Sequence, residues 1–236
     1  MVVHLFLIEC DPSNSLGGSC VRDLYNTAHH VNSAFIYVFT TSIPPMDKFP
    51  KQAEFYTTNI MEFKKCVNKV RNGETMVVLI SGHGYQMRDN DGDEIDGMDE
   101  YIKTRTGIIK DDMLRRVFIT PLLTKPLCRF IGLVDTCHSG TMFDLDYSFN
   151  GKNWIKDTKR DDIKVDAISI GACRDNELDN CDVGTIGYGG ALTIHLIDNN
   201  LIRTLINNKG EEVYHKLKKI FKTLNQCPVL QKCQKD

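Results

Sequence analysis

No apolar run in this 236-residue chain approaches the ~18–20 residues needed to span a bilayer. The opening MVVHLFLIECD has an apolar stretch of only about eight, interrupted by His4 and closed by Glu9 and Asp11. It lacks a basic lead and a small-residue cleavage site, so it reads as a buried strand and not as a signal peptide. Low-complexity tracts and internal repeats are also missing. A formal net charge of -2 gives no electrostatic reason to expect a nucleic-acid or membrane partner. The nine cysteines are odd in number and scattered, with no C-x-x-C pair. That argues against a zinc knuckle and against a secreted disulfide framework. A reducing compartment, cytosolic or nuclear, is expected, with most of the thiols buried as small hydrophobes.

With 42% hydrophobic and 25% charged residues, the composition is that of an ordinary globular protein able to bury one sizeable core. Short β-rich runs alternate with helical patterns. VVHLFLIEC, AFIYVFTT, TMVVLIS, CRFIGLVDT and VDAISIGAC suit strands buried on both faces. NIMEFKKCVNKV, KDDMLRRVF, GALTIHLIDNNLIRTL and EEVYHKLKKIFKTL are the amphipathic candidates between and after them. The alternation predicts an α/β fold with helices on both faces of a mostly parallel sheet. Two segments fall outside it and read as long loops: RDNDGDEIDGMDE at 88–100 and the polar stretch 146–164. The alternation resumes after the second, which predicts one domain over 1–236.

Two predicted strands end in turns loaded with chemistry, Gly82-His83-Gly84 and Cys137-His138-Ser139-Gly140. Ligands in an open α/β sheet sit beyond the carboxyl ends of the strands, so both turns are expected to open onto one crevice. A histidine and a cysteine brought together there form a nucleophilic pair, the imidazole taking the thiol proton and the thiolate attacking a carbonyl. Gly84 admits a close backbone approach, and the N–H groups of Gly84 and Cys137 are candidates for an oxyanion hole.

SGHGYQ, DNDGDEIDGMDE, KDDM, VDTCHSGTMFDL, ISIGACRD and a closing QCPVL together resemble the metacaspases, a family of caspase-like cysteine peptidases, from about residue 3 to 231. The resemblance implies a caspase-like three-layer α/β/α sandwich with a mostly parallel central sheet. Residues 1–145 would be a large-subunit-like part carrying His83 and Cys137, 146–164 a loop, and 165–236 a small-subunit-like part. It further implies peptide-bond hydrolysis, with His83 as general base and Cys137 as nucleophile. The caspase signature Q-A-C-[RQG]-G is not present. Asp135 stands two residues before the cysteine instead. The family's specificity-pocket positions match Cys20, Asp23, Ser81 and Asp135, and two carboxylates there favour a substrate Arg or Lys. On its own residues, Asp23 also reads as an exposed helix residue and Asp135 as a buried acid bonded to loop backbone.

Counted from Asp89, the 88–100 stretch fits an EF-hand at its first three ligands and at Glu100, but position six is Glu94 where a glycine is needed. The resemblance implies a different calcium site, built from Asp99, Asp111, Asp112 and Asp144. Hard oxygen ligands suit calcium, though Asp111 and Asp112 would equally serve the start of the following helix. Most other acids of 88–100 are then expected to form a solvated rim. Departures from the family pattern are Thr136 in place of serine, Asp146 in place of proline, and Ala172 before Cys173. The Asp146 change predicts a more flexible loop after the nucleophile. The family's leader rich in proline and glutamine is expected to be absent, since the first strand is read from about residue 3, and the resemblance then implies a compact type I form. The expectation is a calcium-activated, monomeric, cytoplasmic endopeptidase acting on proteins or peptides at Arg or Lys. Self-processing would fall at Lys152, Lys156, Lys159, Arg160 or Lys164. The alternatives are a catalytically silent scaffold or calcium-binding regulator, and a flavodoxin-like module using GYGG at 187–190.

Overall fold

Alternate residues of the strongly apolar runs point to opposite faces, and both faces need cover. The computed structural model, which describes residues 1–174, 189–224 and 226–233, meets that need with helices on two sides. In chain order the elements are β1 (Val3–Cys10), α1 (Ser19–His30), β2 (Phe35–Thr40), β3 (Ala53–Thr57), α2 (Ile60–Val67), β4 (Thr75–Gly82), β5 (Gly84–Arg88), β6 (Met98–Thr104) and β7 (Gly107–Lys110). Then follow α3 (Asp111–Leu114), β8 (Arg129–Asp135), β9 (Tyr147–Phe149), β10 (Trp154–Lys156), β11 (Asp166–Gly171), α4 (Ala191–Asp198), α5 (Leu201–Ile206), α6 (Gly210–Phe221) and β12 (Val229–Lys232).

The main sheet runs β10-β9-β12-β11-β8-β4-β1-β2-β3. Its β11-β8-β4-β1-β2-β3 part is parallel throughout, and β12, β9 and β10 add antiparallel strands at one edge. The pleat divides the core in two. Leu5, Leu7, Leu79 and Leu133 pack with Leu24 of α1, Leu192 and Leu196 of α4 and Leu217 of α6. Phe6, Ile8, Ile80 and Phe130 pack on the other side with Phe63 of α2, Leu114 of α3 and Phe118. Each such side chain contributes roughly 1.5–3 kcal/mol by leaving water.

Each of the five apolar runs read as strands holds one, as β1, β2, β4, β8 and β11, and QCPVL leads into β12. The long 190–205 pattern is two helices, broken at Asn199-Asn200, where Asn200 adopts φ 52°. Neither predicted long loop is wholly a loop. Residues 146–164 contain the β9–β10 hairpin, turned by Asn150, whose side chain accepts the N–H groups of Lys152 and Asn153. Its strands are three residues each, too short for their alternation to stand out among polar residues. The 88–100 stretch joins β5 to β6 of a small antiparallel sheet, β5-β6-β7, so Asp99 and Glu100 lie on a strand. The Asp146 expectation is also overturned. Its side chain is fully buried, 2.8 Å from Arg115 Nη2, and accepts the Ile163 N–H at 3.0 Å. That anchors the segment after the nucleophile.

Candidate active site

The two loaded turns leave adjacent strands, since β4 and β8 pair in parallel with Ser81 opposite Asp135. Gly82 has φ 142°, and a Cβ there would lie 2.7 Å from the Cys10 Sγ. The chain therefore turns tightly against β1, and the His83 N–H donates to the Cys10 carbonyl at 3.2 Å. At Gly84 a Cβ would overlap the Cys137 carbonyl oxygen and crowd the Thr136 hydroxyl. The histidine turn and the cysteine turn are in direct contact, and glycine is what lets them meet. Cys137 is half-buried and the His83 side chain is 30% exposed, so both groups face reachable space. His138 has φ 49°, which ends the turn sharply. Ser139 then braces it, its hydroxyl donating to the Cys173 carbonyl at 3.1 Å and accepting the Cys173 N–H at 3.0 Å.

The four predicted pocket residues converge beside these turns. Asp23 on α1 is buried, so its reading as an ordinary exposed residue fails. One of its carboxylate oxygens accepts the Ser81 hydroxyl at 2.8 Å and the Gly190 N–H at 3.0 Å. Among the described residues the other, Oδ1, has no hydrogen-bond partner. Burial, with the charge of Asp135 behind it, pushes the Asp23 carboxyl well above the usual carboxylate range. Asp135 Oδ1 and Oδ2 accept the N–H groups of Leu192 and Thr193 at 3.3 and 2.6 Å, where an anion meets the start of α4. Backbone bonding and a place beside Asp23 hold together for Asp135. Cys20 is buried on α1, and burial pushes its thiol up. The GYGG stretch enters only with Gly189 and Gly190, since 187–188 lie outside the described residues, and these glycines lie against the two acids.

The predicted calcium ligands gather around Asp112. Asp99, Asp111 and Asp112 bring carboxylate oxygens within 4.8 Å of one another, and so do Asp93, Asp112 and Asp144. Of the six acids in 88–100 other than Asp99, Asp89, Asp91, Asp93 and Asp96 are exposed or half-exposed, as expected of a solvated rim, while Glu94 and Glu100 are buried. Burial raises Asp111 to about 7, against the pull of N–H groups from Asp112 and Glu100. Burial raises Glu94 to about 9, with Asp111 and Asp93 adding to it, and Asp93 to about 6. An all-oxygen donor set whose members crowd one another fits a hard cation. The chain supplies cations of its own there: Lys110 pairs with Asp99, and Arg160 pairs with Asp93, Asp112 and Asp144 together. Lys159, beside it, donates to the carbonyls of Gly92 and Glu94 at 3.2 and 2.7 Å.

Sequence reasoning missed three sets of partners. Arg160 and Asp93 meet across the fold with no sequence spacing to connect them, and the Arg115–Asp146 pair is likewise long-range. Asp11 and Ser15 lie in the turn after β1, where Ser15 Oγ is 2.7 Å and Asp11 Oδ1 3.8 Å from His83 Nε2. The polar run DPSNS after an apolar strand was the signal available for Asp11 and Ser15.

The family model for the metacaspase peptidase C14 domain matches residues 6–146, a span that takes in both turns. Metacaspase-1 of Meyerozyma guilliermondii is 32% identical over 151 residues, covering 61% of this chain and 36% of that protein. Metacaspase-1 of Yarrowia lipolytica is 34% identical over 160 residues, with coverage of 64% and 34%. That of Saccharomyces cerevisiae is 31% identical over 158 residues, with 61% and 34%. The chain spans no more than 36% of the length of these three relatives. A Geobacter sulfurreducens protein of known crystal structure superposes with a TM-score of 0.56 at 20% identity, covering 100% of this chain and 95% of that one, a likeness of fold. Caspase-like architecture and sequence match agree, and the chain belongs to the metacaspase family of C14 peptidases.

Proposed function

We propose that this chain is a cysteine endopeptidase that cleaves after Arg or Lys and is activated by calcium. The observation that carries the reading is the contact between the His83 and Cys137 turns beside a buried acidic pocket. His83 takes the Cys137 proton, the thiolate attacks the scissile carbonyl, and the N–H groups of Gly84 and Cys137 stabilise the oxyanion. The imidazolium then gives its proton to the leaving amine, and water releases the acyl group from sulfur. The Oδ1 of Asp23, unpartnered among the described residues, together with Asp135 recognises the guanidinium or ammonium of the substrate. A basic side chain there would also hold the raised Asp23 carboxyl in its ionised form.

Asp99, Asp111, Asp112 and Asp144 would hold the calcium ion, with Asp93 added by its position. The ion would supply the positive charge that Lys110 and Arg160 supply in this structure. Self-processing remains part of the reading. Lys152, Lys156, Lys159 and Lys164 are exposed, while Arg160 is half-buried in its carboxylate cage. We further propose a monomer working in the cytoplasm; among the described residues no helix is long and apolar enough to cross a membrane.

Peptides ending in Arg, Lys or Asp, assayed with calcium or chelator on wild type and Cys137→Ala, test the reading. Arg or Lys cleavage that needs both calcium and Cys137 is expected. Undiminished cleavage by Cys137→Ala excludes the nucleophile, and no cleavage under any condition favours a silent scaffold. An intact chain after long incubation with calcium removes self-processing.

A further inference from the structure

The turn between β1 and α1 carries an arrangement that the dyad alone does not require. Asp11 is 5% exposed, yet its carboxylate collects four hydrogen-bond donors. The N–H groups of Ser15 and Leu16 reach it at 3.0 and 2.8 Å, and the hydroxyls of Ser13 and Ser15 at 3.0 and 3.1 Å. Ser15 Oγ is also 2.7 Å from His83 Nε2. A serine hydroxyl has a single hydrogen, and a carboxylate only accepts. With that hydrogen given to Asp11, the serine oxygen accepts from Nε2–H.

We propose that Asp11 and Ser15 are positioning residues for His83, a relay running from Nε2–H to the Ser15 hydroxyl to the Asp11 carboxylate. The relay sets the tautomer: with Nε2 protonated, Nδ1 carries the lone pair that takes the thiol proton. In the proton balance the Cys137 proton moves to Nδ1, and the Nε2 proton stays on His83 throughout. Asp11 remains a carboxylate, and Nδ1–H later passes to the leaving amine. The imidazolium formed between these steps has the Asp11 charge 3.8 Å away. Burial works against that charge, but the N–H groups of Leu16 and Ser15 outweigh it and hold Asp11 below the usual carboxylate range. The logic is that of the histidine-orienting acid in serine peptidases, with a hydroxyl inserted between acid and imidazole.

The other groups around His83 do not compete for this role. From β5 the Tyr85 ring lies 6.2 Å away, itself under the Lys103 ammonium at 4.2 Å. From β1 the Cys10 thiol lies against the His83 backbone carbonyl and not the ring. From the β8 turn comes Cys137, the proton's source.

The inference rests on His83 acting as the base, and its test is read on the histidine itself. Ring nitrogen NMR of the full chain in a Cys137→Ala background, which prevents self-digestion, reports the tautomer. The expected result is an Nε2–H neutral form, with that preference weakened in Asp11→Asn. Ser15→Ala, which leaves the backbone bonds of Asp11 in place, should lose the Nε2–H preference, and Ser15→Thr should restore it. An Nδ1–H tautomer in the starting protein, or a tautomer balance unmoved by Asp11→Asn, overturns the relay. In the active enzyme Asp11→Asn should lower kcat about tenfold with KM nearly unchanged. A chain that gives the expected NMR result but cleaves nothing refutes the peptidase reading and leaves the relay standing.

Discussion

Gly84 shows how little room one position can leave. Any Cβ there overlaps the Cys137 carbonyl, so Gly84→Ala must separate the two turns or shift one backbone. Overpacking of this kind costs roughly 1–3 kcal/mol, which a whole domain tolerates, but a displacement near 1 Å costs about a hundredfold in rate. Gly84→Ala is therefore expected to fold and to lose about that factor in kcat, measured on protein with unchanged circular dichroism. Asp23 carries the opposite balance. Its carboxyl pKa is raised in the fold, so the folded state prefers the neutral acid. Stability is then lost as pH rises from the ordinary carboxylate value towards the raised one. Asn keeps the acceptor for Ser81 and Gly190 but cannot ionise. Asp23→Asn should melt higher than wild type at pH 7, by roughly a few degrees. It should also lose about tenfold to a hundredfold in kcat/KM on an Arg substrate, the worth of one charge-assisted contact. A variant that melts at the wild-type temperature and still prefers Arg would show that Asp23 is not the recognition group.

Among the elements, the segment from the β9–β10 hairpin to β11 matters most, because it delivers Arg160 to acids from three other parts of the chain. Asp93 comes from the β5–β6 connection, Asp112 from α3, and Asp144 from the segment after the nucleophile. Removing the arginine leaves those carboxylates facing one another, and breaking a buried pair from one side costs roughly 3–5 kcal/mol. With Arg160 at 24% side-chain exposure, water takes up part of that, so a loss of about 2 kcal/mol is expected for Arg160→Gln in chelator. Millimolar calcium should recover most of it, whereas wild type should gain less from calcium than the variant does. Thermal denaturation with calcium, magnesium or chelator measures both. Equal calcium effects on the two proteins would separate the arginine from the cation site.

Across the whole molecule, the parallel sheet carries a titrating group in its own core. His4 on β1 is 1% exposed, with Nε2 2.8 Å from Glu74 and Nδ1 3.2 Å from the Tyr37 hydroxyl. Burial lowers its pKa below 6.5 despite the nearby Glu74 carboxylate. The fold thus prefers the neutral imidazole, and stability falls as pH drops below 6.5 towards the lowered value. Melting temperature should decline through that window in wild type and stay flatter in His4→Leu. The main-sheet strands that carry both turns were legible because β-branched apolar runs have one physical use, burial on both faces. The chemistry of His83 and Cys137 was legible because each follows such a run into a glycine-bearing turn. The short strands β9 and β10 were not, since three residues hold too little alternation to separate from a polar loop. Arg160, Asp93 and the Asp11–Ser15 relay to His83 were hidden for another reason: electrostatic partners are chosen by distance in space, and local sequence offers at most a polar run such as DPSNS, which does not name the partner. The sequence alone thus determined the strand–helix order and the family. Only the tertiary structure decided that Glu94, Asp99 and Glu100 of the acidic stretch are buried while its other acids stay at least partly exposed, and that the chain meets it with its own arginine. Close-packed strand ends bring distant charges within a few ångströms, where each must find a counter-charge or a proton.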